Sequence, residues 1–482
     1  MHSLELNPEE VKELTEYTLK HILTFYQTLD HQPINEPKWD DVKLESKKII
    51  EYVPPEKGEE FSEVISKLFN SYIPAAMNFP APGYMGFIPS TGIYQAALGE
   101  LIAKVANRHV GHGRPSPFLT QIESNVLRWF ANIIGFPKTA QGIFTCGGSI
   151  ANLTAVITAR NSILTEDQSL STATIYMSDQ THHSISKAAL AAGIRSENIK
   201  IIESDNGLKI SIPLLKAAIE QDKKKRLTPF LIVGNAGTTN AGTVDPLEEL
   251  SEISLSEKIW FHIDAAYGGF FALTKRGKEA LKGIELADSV TMDPLKSLFL
   301  PLGVGSLLVR DGTFLHKSFD FNASYAPPLE YGDDSTFDYW DPAHMSLELS
   351  RSFRGLSVWL PIKIHGISAF RSALDEKLDL VSDVNTFFAS SKEEWDVLYH
   401  PELSITVISA KAEDKTLEEL NSINMRIIDE VKQLNRIYLS GAYIKGKYTI
   451  RICVLNLRTH KKHILQLFED LSEARKKVLT KY

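Results

Sequence analysis

PFLIVGNAGTTNAGTVDPLEELSEISLSEKIWFHIDAA, residues 229–266, places a helical stretch between two apolar runs. PFLIVGNAG (229–237) and KIWFHIDAA (258–266) are near-continuous in large apolar residues rather than alternating. Strands covered on both faces read this way. A strand–helix–strand unit of this length joins neighbouring parallel strands. The same alternation extends outward in both directions, through GIFTC (142–146), TATIYMS (172–178), IKIIES (199–204), SVTMD (289–293) and VGSLLVR (304–310). The expectation is an α/β fold, a mainly parallel central sheet with helices on both faces. Ligands of such sheets bind beyond the carboxyl ends of the strands.

Further out the pattern changes. Asn7-Pro8 starts a predicted helix over 8–30, with Glu9 and Glu10 in its first turn and an apolar stripe of Leu14, Tyr17, Ile22 and Phe25. EYVPPEKGEE (51–60) reads as a linker, followed by a helix to about Tyr72. Residues 1–75 are too few to bury that stripe alone and are expected to pack on another domain or subunit. The large α/β domain is expected over 76–360. Residues 318–345 are rich in turn formers and aromatics, the signature of a functional loop. A long helix follows, then ITVIS (405–409) and YTIRICVLN (448–456), which predict a small α+β domain over 361–482.

The 482 residues exceed one compact core, and 43% hydrophobic and 23% charged content is ordinary for a globular protein. A net charge of −8 argues against a nucleic-acid partner. Two cysteines, Cys146 and Cys453, imply no disulfide framework and point to a reducing, cytoplasmic setting. There is no stretch of 18 apolar residues and no signal-peptide pattern, so no membrane span is expected.

Chemistry gathers at the predicted strand ends. TCGGSIANLTAVITAR (145–160) joins a strand, a glycine pair and a helix, whose first amides and dipole favour an anion such as phosphate. Taken alone it also reads as an ordinary turn with a serine cap. Asp264 ends a strongly apolar strand, where a carboxylate needs a partner: local amides, or a cationic ring nitrogen. SDQTHHSISKA (178–188) offers two histidines, one of which could stack on a flat ring. A zinc reading would need further ligands; His109 and His112, or His460 and His463, are available, but nothing in the sequence groups them, and no metal is expected. GNAGTTNAGTVDPL (234–247) supplies hydroxyls, notably that of Thr239. Lys296, in SVTMDPLKSLFLPLG (289–303), lies between apolar flanks, where a desolvated amine is a nucleophile for carbonyls. In that order the parts match what a pyridoxal phosphate (PLP) site requires.

From about Met77 to Arg458 the chain resembles the PLP-dependent group II amino-acid decarboxylases, a family with aromatic-L-amino-acid, tyrosine, histidine and glutamate members. The resemblance rests on GYMGFIPS (83–90), FTCGGSIANL (144–153), SDQTHHS, GTTNAGTVDPL, HIDAAYGG, DPLKSLFLPLG, ELSRSFRGLSVW (348–359) and YTIRICVLNLRTH (448–460). It implies the PLP-dependent transferase fold of type I, a homodimer whose N-terminal helices wrap the partner, and a small amino-acid substrate. Lys296 resembles the lysine that carries the cofactor. Asp264 resembles the partner of its ring nitrogen, and His182 the ring-stacking histidine. Gly148 and Ser149 fall at the phosphate positions, with Thr239 and Ala266 also in the cofactor set. Tyr339 aligns with the tyrosine that protonates the substrate carbon. Phe87 and Ile88 lie in the block lining the substrate pocket and favour an aromatic side chain. Arg451 and Arg354 are the cationic candidates for an acidic substrate. The sequence departs from the family at Leu295, where many members have a phosphate-binding histidine. Glutamate decarboxylation, a PLP carbon–carbon lyase, an aldehyde-forming relative and a non-catalytic scaffold are the competing readings.

Overall fold

A computed structural model describes residues 4–165, 170–320 and 341–480. Its larger sheet has seven strands: β1 (Gln141–Thr145), β2 (Ala173–Ser178), β3 (Ile199–Ile202), β4 (Thr228–Asn235), β5 (Trp260–Asp264), β6 (Ser289–Met292) and β7 (Gly305–Val309). They lie in the order β1-β7-β6-β5-β4-β2-β3. Pairing is parallel from β3 through β2, β4 and β5 to β6, and only β7 runs antiparallel to its neighbours. Every residue of β2, β5, β6 and β7 is buried, as the continuous apolar runs require. The helices Gly148–Ile163, Ile212–Lys224 and Leu247–Glu257 pack across this sheet. The carboxyl ends of β1, β2, β4, β5 and β6 therefore open on one edge.

Helix Gly355–Ser390 leads away from this unit and is interrupted at Gly366, whose φ of 71° lies outside the helical region. Beyond it, β8 (Trp395–Tyr399), β9 (Ile405–Ala410), β10 (Ser440–Ile444) and β11 (Lys447–Cys453) form an antiparallel sheet in the order β10-β11-β9-β8. Helices Leu417–Leu434 and Lys461–Leu479 accompany it, around a second core that includes Val384, Phe388, Trp395, Ile427 and Ile452.

At the other end, helix Pro8–Thr28 begins with a capping box. Asn7 Oδ1 accepts from the Glu10 amide (3.0 Å), and Glu10 Oε2 accepts from the Asn7 amide (2.9 Å). No residue of this helix, or of helix Trp39–Glu51, is buried. No helix among the described residues is long and apolar enough to cross a membrane.

Candidate active site

A cavity of about 290 Å³ opens at the carboxyl edge of the larger sheet. Gly148, Ser149, His182, Thr239, Asp264, Ala266, Leu295 and Lys296 all line it. A larger hollow of about 640 Å³ lies among Asp396, Lys411 and Arg475, far from this convergence; chemistry rather than size selects the smaller one.

Each side chain is delivered by a strand end. β5 ends at Asp264, which is 8% exposed. Its Oδ1 accepts from the Ala266 amide (3.1 Å), and its Oδ2 accepts from Asn152 Nδ2 (3.0 Å). Asn152 lies one turn into the Gly148 helix and is itself held in place. His262 Nε2 is 3.2 Å from Asn152 Oδ1, and His262 Nδ1 is 2.9 Å from Ser289 Oγ. Trp260 Nε1, which can only donate, also reaches Ser289 Oγ (2.9 Å). Asn152 donates to Asp264, and its amide oxygen, which can only accept, takes the Nε2–H of His262. Burial pushes the His262 pKa down to about 4 against the opposing pull of Asp264, which keeps the ring neutral.

His182 follows β2. Its Nδ1 accepts from the Ser184 amide (3.3 Å) and lies 2.8 Å from Ser184 Oγ. Ser184 Oγ in turn accepts from Asn152 Nδ2 (2.9 Å). Burial lowers the His182 pKa, chiefly by desolvation, which keeps the imidazole neutral. One asparagine thus positions both the carboxylate and the imidazole. Sequence reading missed Asn152, His262, Ser184 and Asp293. A signal existed for two of them: an asparagine inside a helix and a histidine inside an apolar strand both oppose local preference.

Lys296 sits on the single helical turn Pro294–Ser297 after β6. Its Nζ is 3.3 Å from Asp293 Oδ2. Asp293 is 2% exposed, and its Oδ1 has no hydrogen-bond partner. Burial raises its pKa, while Lys296 and the Gly148 amide act in the opposite sense. A Cβ added at Gly148 would lie 2.7 Å from Asp293 Oδ2, so only glycine fits between the helix start and this carboxylate.

The structure does not bring every predicted residue here. Arg451 is buried and bonds elsewhere: Nε donates to the Asn240 carbonyl (2.9 Å), Nη1 to Ser440 Oγ (2.8 Å), and Nη2 to the Phe87 and Thr239 carbonyls. It clamps the smaller sheet to the Thr239 loop and is not a cavity residue. Phe87 is half exposed with a φ of 39°, and Ile88 packs on the main core; neither lines the cavity. Tyr339 and most of the predicted 318–345 loop lie outside the described residues, whose flanks are helix Thr313–Phe319 and the turn Pro342–His344.

The residues present fit PLP. They provide an amine for its carbonyl, a carboxylate for its ring nitrogen, a neutral imidazole and a helix start with a glycine cradle. Comparison with known proteins agrees. Residues 44–411 match the pyridoxal-dependent decarboxylase conserved domain. The chain is 32% identical to an aromatic-L-amino-acid decarboxylase of Bacillus atrophaeus, over 100% of this chain and 98% of that one. It is 26% identical to tryptophan decarboxylase 2 of Oryza sativa (99% and 96%) and 24% identical to a phenylacetaldehyde synthase of a Rosa hybrid (99% and 96%). Among solved structures, Oryza sativa TDC with PLP and tryptamine superposes with a TM-score of 0.91 at 23% identity, covering 98% of this chain and 99% of that one.

Proposed function

This chain belongs to the pyridoxal-dependent decarboxylase family, and from that premise we propose that it converts an aromatic L-amino acid to its amine and CO2. Its cofactor is PLP, which when bound supplies the electron sink that lets a Cα–carboxylate bond break. The observation that carries the reading is the convergence of Lys296, Asp264 and His182 on one cavity at the strand ends.

In this reading Lys296 Nζ would hold the cofactor through its carbonyl carbon and would be the group that the substrate amine replaces there. Asp264, oriented by Asn152 and the Ala266 amide, holds a proton on the ring nitrogen by opposite charge. His182, held neutral and oriented by Ser184, is assigned to the ring face. Gly148 and Ser149 receive the phosphate at the helix start, Thr239 contributes a hydroxyl, and Leu295 adds an apolar wall. Tyr339 is assigned as the proton donor to Cα.

Two further observations favour an aromatic over an acidic substrate. The relatives at 32% and 26% identity are named for aromatic amino acids. The two arginines available to a substrate carboxylate are already engaged, Arg451 with the groups above and Arg354 with both Glu348 oxygens (2.6 and 2.8 Å). The working form is taken as a cytoplasmic homodimer, in keeping with two unpaired cysteines and the exposed apolar residues Leu19, Leu23, Trp39, Leu44 and Ile50 of the N-terminal helices. The units are taken as 1–75, 76–360 and 361–482.

The test is a panel of aromatic, acidic and basic L-amino acids given to the PLP-loaded protein, with CO2 and organic product both measured. Amine and CO2 from aromatic substrates are expected in equal amounts. Aldehyde in place of amine would move the protein to the chemistry named in its phenylacetaldehyde synthase relative, and CO2 from glutamate alone would overturn the substrate class.

A further inference from the structure

We propose that His112, Asp341 and His344 form a binding site for a first-row divalent cation, of which zinc best suits the ligand set. Two imidazoles and a carboxylate are a set that zinc and its neighbours accept, leaving further positions for water. One ligand atom from each of the three residues lies within 4.8 Å of the others. Among the described residues this is the one group of three or more histidine, cysteine or acidic side chains so gathered. The sequence alone could not assemble it, because His112 is more than two hundred positions from its partners.

Three observations aim the group inward. His112 Nδ1 is buried and has no hydrogen-bond partner. His344 Nδ1 is 2.6 Å from Asp320 Oδ1, which leaves Nε2 for an ion and supplies the carboxylate that orients metal-bound imidazoles through their other nitrogen. Asp341 Oδ1 accepts from the Gly113 amide, and the Ala343 amide donates to the Gly111 carbonyl (3.0 Å), so the backbone holding the ligands is already joined. The ring centroid of a further imidazole, His109, lies 5.7 Å from that of His112.

A cation here would join residues 109–113 to the chain beyond residue 340 and, through Asp320, to the end of helix Thr313–Phe319. Those two flanks bracket the segment that carries Tyr339. The site is independent of the cofactor cavity, since it shares no lining residue with it.

The experiment is metal analysis of the full-length PLP-loaded protein after chelator treatment, addition of zinc alone and gel filtration. One zinc per chain is expected, in loaded and PLP-free protein alike, with a thermal midpoint that rises with zinc concentration. His112→Gln and His344→Gln should each abolish stoichiometric zinc. Asp320→Asn, which keeps all three ligands, should weaken it by about 10- to 100-fold. His460→Gln should change nothing. Less than stoichiometric zinc on the wild-type protein would overturn the proposal. So would retention of zinc by both ligand variants, or equal loss in His460→Gln.

Discussion

Asp293 governs the terms on which the cavity takes a phosphate. Its carboxyl group lies against the helix start that a phosphate would face, 2.7 Å from where a Gly148 Cβ would sit, and its Oδ1 is buried without a partner. As a carboxylate it repels a phosphate; as an acid it can donate to one. Burial raises its pKa, so the folded protein holds this proton to higher pH than an exposed aspartate would. The sign follows: PLP affinity falls as pH rises through that raised pKa, because the repelling form takes over. Asp293→Asn should bind PLP about tenfold more tightly at alkaline pH and flatten the dependence, read by absorbance titration. An unchanged pH profile would sink this account. Lys296 gives the companion prediction. Borohydride treatment should fix PLP to the wild-type protein at Lys296 by mass spectrometry and should fix none to Lys296→Ala. At this scale the sequence marked Lys296 and Asp264 as charges set against apolar runs and His182 by its motif, and the structure places all three on one cavity. Asp293 and Asn152 passed unnoticed because the groups they lie against, Gly148 and Asp264, are more than 100 residues away in sequence.

Among the elements, β5 and the Gly148 helix form one device. The helix projects Asn152 one turn in, and the strand projects His262 and Asp264 to the same side, two residues apart, as the pleat dictates. His262 is neutral with a pKa near 4, below its value of 6.5 in an unfolded chain. Between those limits the unfolded chain binds the additional proton, so acidification destabilises the folded state. His262→Leu should be less stable at neutral pH, since Asn152 Oδ1 and Ser289 lose their partner, but its thermal midpoint should fall less steeply between pH 6.5 and 4. A fall as steep as that of the wild type would remove His262 as the source. The elements also show where pattern reading stops. All seven strands of the larger sheet were legible: those buried on both faces write continuous apolar runs, and the half-exposed edge β3 keeps the isoleucine-rich run IKII. In the smaller sheet β9 and β11 were legible and β8 and β10 were not. The two missed strands are its edges, half exposed and mixed in composition, so neither alternation nor a continuous run marks them.

Across the whole molecule, uncovered apolar surface concentrates near the amino terminus. Helix Pro8–Thr28 buries none of its residues, and helix Trp39–Glu51 leaves Trp39, Leu44 and Ile50 exposed. Helix Tyr94–Ala106 adds Leu101, Ile102 and Val105, with Val105 78% exposed, and Phe118 follows at 82%. Scattered apolar residues need no partner, but exposed ones on three elements are what a second copy of the chain would cover. The stripe legible in residues 8–30, Leu14, Tyr17, Ile22 and Phe25, is partly buried, and the exposed apolar residues of that helix are Val11, Leu19 and Leu23; the exposed side of helix Tyr94–Ala106 does not announce itself either, because a sequence shows that a helix is apolar and not which neighbour is missing. If a second copy covers this surface, each buried aliphatic side chain contributes about 1.5–3 kcal/mol, and a lysine in its place must be desolvated. The wild-type chain should sediment at about twice its 53.9 kDa mass at micromolar concentration. Ile102→Lys with Val105→Lys should shift it to the monomer while leaving the far-ultraviolet circular dichroism unchanged, because both side chains already face solvent in the single chain. A wild-type monomer at that concentration, or a double variant that remains dimeric, would show that these helices do not form the interface.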